Sequence, residues 1–382
     1  MRLQQGARYR AGVFAPRQIL RHLLHAGVAA VDPERLVANR LRHGPALPEH
    51  VGLVVLAVGK AAAGMVRGAM RVLGTETRGL AVCPAATDVF GFEIVVGDHP
   101  VPGPRSFEAG VRLMAAAAAA GPDDLVLVLL SGGASALAEV PAPGVSQQQI
   151  IDAATSLLVS GRPIAEINER RTALSAIKGG GLTRAARPAR VVTLAISDVA
   201  AAGPDVIGSG PTTGSDIFEV IADGSTAAAA AAQACREAGL KPHLLTEPIA
   251  GPASPAGGSL GRTSVRLAEG SALVGFGETT VRVEGTGRGG RNQEFALAAA
   301  LEIVGTSVLV GSIGTDGVDG PTNNAGAIVD GTTIARATAL GLDAETHLAT
   351  HDSATFLEAV GDVVVAGPTG TNVGDLVVAI KP

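Results

Sequence analysis

Between Gly287 and Gly320 the chain places basic and acidic groups in two glycine-rich turns that flank one helix–strand unit. Arg291 ends the first turn, and Asp316 and Asp319 lie in the second. Backbone amides and Arg in a glycine turn suit a phosphate, whereas carboxylates in a flexible turn suit a divalent cation or a substrate hydroxyl. The combination favours phosphoryl transfer, in which a protein mainly positions and neutralises charge.

Other polar residues follow directly on apolar, strand-like runs. Lys60 comes after the run 51–58, Ser131-Gly132-Gly133 after 125–130, and Asp198 after 190–196. Amides at the start of a helix attract anions, and a Lys there is unfavourable unless an anion is bound. We therefore expect Lys60 to reach a phosphate. Asp198 is a candidate metal ligand or base, and an ordinary turn aspartate is equally consistent with its position.

Several short motifs in the chain are weak. The glycines of 285–290 satisfy GxGxxG but lack the acidic residue that follows in dinucleotide sites, and the GxSxG of 257–261 does not follow a strand. His347 and His351 lack the Glu of a zinc helix. No GxxxxGK[ST] occurs, so a kinase with this sequence is not of the P-loop class.

Apolar runs alternate with helical patterns along the chain, which predicts an α/β protein with mostly parallel sheets. At 382 residues, two domains are expected. The segment 247–261 is rich in Pro, Gly, Ala and Ser and is predicted to be a linker. We therefore expect a larger Rossmann-like domain over 1–250 and a smaller α/β domain over 251–382.

Composition excludes several classes of protein. Aromatic residues make up 2% and the net charge is −5, which argues against nucleic-acid binding. Cys83 and Cys235 stand far apart and are expected to be buried thiols. No apolar stretch is long enough for a signal peptide or a membrane span, so a soluble, cytoplasmic protein is expected.

Taken in order, the motifs resemble those of the class II glycerate kinases, the glycerate 2-kinase family with a MOFRL domain. The resemblance covers roughly residues 50–380 and rests on these segments: VGKAAAGM from Val58, HPVP from His99, LLSGGASAL from Leu129, INERR from Ile167, LSAIKGGGL from Leu174, SDV from Ser197, IGSGPT from Ile207, GETTV from Gly277, GRGGRNQEFAL from Gly287, GTDGVDGPTNNAG from Gly314, DSATF from Asp352 and AGPTGTNVGDL from Ala366.

The resemblance implies ATP-dependent phosphorylation of D-glycerate to 2-phosphoglycerate, with Mg²⁺ and an active site in a cleft between two α/β domains. The family's essential Lys falls on Lys60 and its essential Arg on Arg291, with Asp198 as a third catalytic candidate. Asp198 and Asp316 are the candidate Mg²⁺ ligands, and Asp198, Asp316 or Asp319 is the candidate base. Residues expected to bind substrate or nucleotide are Ser131, Gly132, Gly133, Ser135, Lys178, Gly210, Asp316, Asp319, Thr369 and Asn372. A homodimer is also expected.

The chain departs from the family pattern at two places. Thr172 and Ala173 replace a Lys-His pair, and Ala201, Ala202 and Gly203 replace Gly-Asp-Asp. These departures leave open a kinase for another small hydroxy acid or a catalytically altered small-molecule sensor. A dinucleotide-dependent oxidoreductase that uses the 285–290 glycines is a further alternative.

Overall fold

The computed structural model describes residues 15–74, 76–159, 164–199, 203, 205–282 and 285–382. Ala201 and Ala202, where the chain departs from the family pattern, lie outside these ranges, as does residue 283 at the end of the predicted strand 280–283.

The described residues form helices and strands in alternation over much of the chain. The helices are α1 (Pro16–Ala30), α2 (Pro33–His43), α3 (Ala62–Leu73), α4 (Pro104–Ala118), α5 (Ala134–Leu137), α6 (Gln147–Val159), α7 (Ile164–Ala173), α8 (Gly181–Ala186), α9 (Gly224–Glu237), α10 (Ala253–Val265), α11 (Arg291–Glu302), α12 (Thr333–Ala339), α13 (Ala344–Ala349) and α14 (Ser353–Ala359). The strands are β1 (Leu53–Val58), β2 (Gly79–Cys83), β3 (Phe92–Val96), β4 (Leu125–Ser131), β5 (Arg190–Ile196), β6 (Ile217–Ala222), β7 (Lys241–Leu244), β8 (Ile249–Pro252), β9 (Ser271–Thr280), β10 (Leu309–Gly314), β11 (Gly326–Asp330), β12 (Val363–Val364) and β13 (Asp375–Lys381).

Two compact units divide the described chain. The parallel-sheet unit consists of residues 32–223 and 370–372, and the mixed-sheet unit consists of residues 15–31, 224–369 and 373–382. These units differ from the predicted ranges 1–250 and 251–382, since α1 belongs with the later part of the chain. A division by contacts does not test whether each predicted range folds by itself. The predicted domain ranges therefore stay a prediction.

The parallel-sheet unit is built on six strands in the order β3-β2-β1-β4-β5-β6, all paired in parallel. This is the strand order of the doubly wound nucleotide-binding fold. Strands β1 and β4 are continuous apolar runs, and β4 is buried along its whole length. Such runs are typical of parallel strands that helices cover on both faces. The α/β class and the parallel sheet predicted for this part of the chain are confirmed.

The second sheet differs from the prediction of mostly parallel pairing. Its strands follow the order β12-β11-β10-β13-β9-β7, with β8 paired to β9. Only β7 and β8 pair in parallel with β9, and the other pairings are antiparallel. An apolar run carries no information on direction, and the sheet is completed by β13, the last strand in sequence. Local patterns therefore do not reveal that it lies between β10 and β9.

The composition of the segment 247–261 predicted a linker, and this prediction is wrong. The segment forms β8 and most of α10. Three glycines disfavour a helix here by roughly 1 kcal/mol each relative to Ala. Packing explains the helix: a Cβ on Gly257 would overlap Phe295 O, and one on Gly261 would lie 3.0 Å from Ala299 O. These glycines allow the backbones of α10 and α11 to approach closely.

The predicted helices at the start of the chain and the buried thiols are confirmed. Asp32 caps α2 by accepting the backbone N–H of Arg35 at 2.8 Å. Cys83 and Cys235 are free and buried, and burial raises the pKa of Cys235 to about 12. None of the helices in the described ranges combines the length and apolar character that a membrane-crossing segment requires.

Candidate functional site

The predicted turns at Lys60, Ser131 and Asp198 follow three neighbouring strands of the parallel sheet, β1, β4 and β5. Because parallel strands end at the same edge, these turns lie side by side. In the strand order, β2 and β3 lie on one side of β1, and β4, β5 and β6 lie on the other. The strand order therefore reverses between β1 and β4. Ligands of doubly wound sheets bind at such a topological switch point, beyond the carboxyl ends of the strands.

Ser131 joins the first two turns. Its Oγ accepts the backbone N–H of Ala61 at 3.0 Å, and the N–H of Lys60 donates to Gly132 O at 2.9 Å. Gly59 has φ +129°, and a Cβ there would overlap Ser131 Oγ. Ser131 is fully buried, so its hydroxyl holds the Lys60 turn in place. Its predicted role in ligand binding stays a prediction.

Two side chains, those of Lys60 and His99, lie beside Gly133 in the second turn. The φ of Gly133, +84°, is in the left-handed region, which favours glycine. A Cβ built there would lie 3.2 Å from Lys60 Cγ and 3.5 Å from His99 Nε2. The sequence-based reasoning did not select His99 as a site residue, although HPVP was among the motifs that carry the resemblance. Since α5 has only four residues, the helix dipole expected at this turn is small.

Asp198 lies on the other side of the same turn. A Cβ on Gly132 would overlap Asp198 Oδ2, and Asn372 Nδ2 donates to that oxygen at 3.3 Å. Two residues predicted separately, Asp198 and Asn372, are therefore in contact. The carboxylate lies against a glycine that has no side chain to shield it.

Ser135 and Gly210 belong to a hydrogen-bonded cluster that also contains two residues not predicted from sequence. Ser209 Oγ donates to Asn168 Oδ1 at 2.9 Å and lies 3.1 Å from Ser135 Oγ, so Ser135 is the donor to Ser209. Ser209 adopts φ +62°, which is uncommon for a non-glycine residue and costs about 1–3 kcal/mol. Gly210 O accepts the N–H of Gly180 at 2.7 Å.

Lys178 lies in the interior rather than on the surface. Its side chain is 2% exposed, and its ammonium group forms an ion pair with Glu139. Burial lowers the pKa of Lys178, and the attraction of Glu139 opposes this effect. Thr172, one of the departures from the family pattern, packs beside the next residue: a Cβ on Gly179 would lie 2.5 Å from Thr172 Cγ2.

In the mixed-sheet unit, Arg291 is the first residue of α11 and forms an ion pair with Asp375. Its Nε lies 2.8 Å and its Nη2 2.8 Å from the Asp375 carboxylate, and Glu278 lies 3.3 Å from Nη2. Burial alone lowers the pKa of Arg291, but the charge and hydrogen bonds of Asp375 outweigh burial and raise it. Arg291 is therefore a permanent cation, and its predicted catalytic role stays a prediction.

Asp319 caps α11 from a distant turn. Its carboxylate accepts the backbone N–H groups of Asn292 and Gln293 at 3.0 and 2.8 Å, and Gln293 Nε2 at 3.0 Å. The residue is 1% exposed, and burial raises its pKa against the effect of these hydrogen bonds. The backbone amides at the start of α11 were expected to bind a phosphate. Two of them instead donate to the Asp319 carboxylate. Ligand binding by Asp319 stays a prediction.

Asp316 and Thr369 hold two glycine turns together. The N–H of Thr369 donates to Asp316 O at 3.1 Å, and Thr369 Oγ1 donates to Thr315 O at 2.6 Å. Asp316 Oδ1 accepts the N–H of Val318 at 3.2 Å. In the described ranges, no three His, Cys, Asp or Glu side chains form a group suited to a metal ion.

Glycine-rich turns at the topological switch point of a sheet with the Rossmann strand order place this chain among the doubly wound α/β proteins. Residues 19–240 match the domain of unknown function DUF4147, and residues 271–375 match the MOFRL family. A D-glycerate 2-kinase from Thermotoga maritima is 34% identical over 94% of this chain and 96% of its own length. A putative hydroxypyruvate reductase from Agrobacterium vitis is 35% identical over 94% of this chain and 93% of its own.

A solved structure supports the same relationship. The crystal structure of a glycerate kinase from Thermotoga maritima superposes with a TM-score of 0.85 at 33% identity, covering 96% of this chain and 99% of that one. The chain belongs to the glycerate kinase family that carries the MOFRL domain. The resemblance seen in the motifs is thereby confirmed.

Proposed function

We propose that this protein transfers the γ-phosphoryl group of ATP to the 2-hydroxyl of D-glycerate, which gives 2-phosphoglycerate and ADP. The observation that carries the proposal is the convergence of Lys60, the Gly132-Gly133 turn, Asp198 and Asn372 at one edge of the parallel sheet. Membership of the glycerate kinase family supports this choice of substrate.

Lys60 supplies positive charge to the transferring phosphoryl group. Phosphoryl transfer depends mainly on positioning and charge neutralisation, because the transition state carries charge on three equatorial oxygens. The backbone contact of Lys60 with Gly132 keeps its turn rigid, and His99 lies beside it as a second donor. Arg291 is the other cation that we assign to this chemistry.

Asp198 either accepts the proton of the substrate hydroxyl or holds Mg²⁺. A general base must come within hydrogen-bonding reach of the proton it removes, and the Asp198 carboxylate lies directly against Gly132. Mg²⁺ takes only one or two protein carboxylates together with substrate phosphates, so Asp198, with Asp316 as the other candidate, fits its needs. When bound, the ion neutralises phosphate charge.

The test is an ADP-release assay over a panel of small hydroxy acids, with the position of the new phosphate assigned by phosphorus NMR. We expect D-glycerate to give the highest kcat/KM and a phosphate on the 2-oxygen. The proposal is wrong if the chain releases ADP from ATP no faster with any hydroxy acid than without one, or if the product carries its phosphate on the 3-oxygen.

A second candidate function follows from the name of the Agrobacterium vitis relative, a putative hydroxypyruvate reductase. A dinucleotide would need the helix amides after the 285–290 glycines, and Asp319 already accepts two of them in α11. We therefore favour the kinase. NADH oxidation with hydroxypyruvate at a rate comparable to phosphoryl transfer would reverse this preference. Mg²⁺ dependence, a cytoplasmic location and a homodimer stay predictions.

A further inference from the structure

The ion pair of Glu139 and Lys178 is deeply buried in the parallel-sheet unit, with side chains 3% and 2% exposed. Other polar groups that act on the Glu139 carboxylate also belong to this unit, and they include Arg171, whose positive charge attracts the carboxylate. Glu139 Oε1 accepts the Ser175 hydroxyl and the N–H of Val140, and Ser175 Oγ accepts the N–H of Lys178 at 3.3 Å. A buried pair of this kind contributes little net stability compared with apolar residues of the same size, so stability alone does not account for it.

The two partners belong to the two segments that hold the candidate site hydroxyls. Glu139 follows α5, which carries Ser135, by two residues. Lys178 begins a glycine turn in which the N–H of Gly179 donates to Ser209 O at 3.1 Å. Since Ser209 and Ser135 contact each other, these contacts and the short chain segment from Ser135 to Glu139 form a closed ring, which runs through Glu139, Lys178, Gly179, Ser209 and Ser135.

Ser209 needs this support because of its backbone. A serine at φ +62° keeps its conformation only when the surrounding structure holds it. The N–H of Gly179 and the Asn168 side chain are two of the groups that hold it. The Glu139 carboxylate holds Lys178, and with it the glycine turn that contains Gly179.

We propose that Glu139 and Lys178 are positioning residues that, through the buried Ser209 hydroxyl, fix the Ser135 hydroxyl beside the Gly132-Gly133 turn for substrate binding. They act through these hydroxyls and do not touch substrate themselves. The inference rests on the proposed kinase function. The sequence suggested that Lys178 binds a ligand directly. The inference instead gives Lys178 an indirect positioning role through its ion pair with Glu139.

The test compares E139Q/K178M, which removes both charges, with the wild type and with R40Q/E219Q. The control pair joins α2 to the edge strand β6 of the same unit. Lys178→Met alone is expected to unfold at a lower temperature, because it leaves the buried Glu139 carboxylate without its ion-pair partner. The double variant is expected to regain most of that Tm, yet to show a KM for ATP or D-glycerate at least tenfold above wild type. The control pair should leave both KM values within twofold.

A cycle with Ser135→Ala separates positioning from a purely structural role. If the pair acts through this hydroxyl, E139Q/K178M should raise KM by less in the S135A background than in the wild type. Ser175→Ala, which removes one donor to Glu139 without leaving an unpaired charge, gives a milder version of the same measurement if the double variant does not fold. A threefold rise in KM is expected.

The outcomes distinguish the two proposals. A wild-type protein without glycerate-dependent ADP release refutes the proposed function. If the wild type is active, either of two results overturns the positioning role alone. One is a folded E139Q/K178M with unchanged kcat and KM values, and the other is an effect of E139Q/K178M on KM that is fully additive to that of S135A.

Discussion

Asp319 Oδ2 accepts the backbone N–H of Gln293 at 2.8 Å, and this contact caps a helix across 26 residues of sequence. The same carboxylate accepts the N–H of Asn292 and the Gln293 side chain. A turn aspartate selected for its chemistry is therefore part of the framework that places Arg291 at the start of α11.

The capping contact predicts a stability effect. Asp319→Ala should lower the free energy of unfolding by about 2–4 kcal/mol, because it removes a helix cap and leaves the backbone N–H groups of Asn292 and Gln293 without their acceptor. Asp316→Ala, in the same turn, should cost less than about 1 kcal/mol. Urea unfolding at constant m value measures both. Equal midpoints for the two variants would refute the capping role.

Lys60→Ala should lower kcat for glycerate-dependent ADP release by about 10²–10³-fold, the cost of losing one positioned charge in the transition state. The unfolding temperature should change little, since the turn is held by backbone contacts and Ser131. Lys241→Ala, on the exposed start of β7, is the matched control for loss of a lysine. Near-wild-type kcat in K60A would remove Lys60 from the mechanism.

Gly133 and Gly144 form a natural comparison, because both have nearly the same positive φ, +84° and +83°. An alanine at either position should cost about 1 kcal/mol of backbone strain. Only at Gly133 does the new Cβ meet Lys60 and His99, whereas nothing lies within 4 Å at Gly144. We expect similar losses of Tm and at least a tenfold loss of kcat/KM in G133A alone. Equal activities would mean that this turn does not face the substrate.

Arg291→Ala should reduce both stability and activity. It leaves the Asp375 carboxylate, which is 4% exposed, without its counter-charge, at a cost of about 2–4 kcal/mol. Arg291→Gln with Asp375→Asn keeps hydrogen bonding and removes both charges, so stability should return. Activity should stay low if Arg291 contacts the phosphoryl group. Recovery of both properties in the double variant would show that Arg291 has only a structural role.

Asp330 predicts a dependence on pH. Burial alone would raise its pKa, but hydrogen bonds from Thr332 and Arg17 hold the pKa at about 2, below its ordinary value of 3.8. A lowered carboxylate pKa stabilises the folded state above the unfolded-state pKa, and this contribution is lost as the pH falls through the folded-state pKa. Asp330→Asn should therefore cost about 1 kcal/mol at pH 7, allowing for solvent screening, and progressively less from pH 4 towards 2. Urea unfolding across this range measures the difference, and a constant value would contradict the assignment.

The amino-acid sequence by itself determined the positions of most buried strands and the turns that follow them. Continuous apolar runs such as β1 and β4, and the Pro and Asp signals at the start of α2, are local features that need no tertiary contact. The order of the motifs also identified the family, because each turn is locally encoded by its glycines and polar residues.

Tertiary structure alone decided which partner each polar side chain meets. Glycines 257 and 261 favour a loop in isolation and become helical only because α11 packs against them. Asp319 and Lys178 look like exposed functional groups in sequence, yet the fold buries both against partners at distant positions. His99 lies beside Gly133 although the two residues are 34 positions apart in sequence. Such pairings depend on strand order and close packing between distant segments, and no local pattern of residue types contains that information.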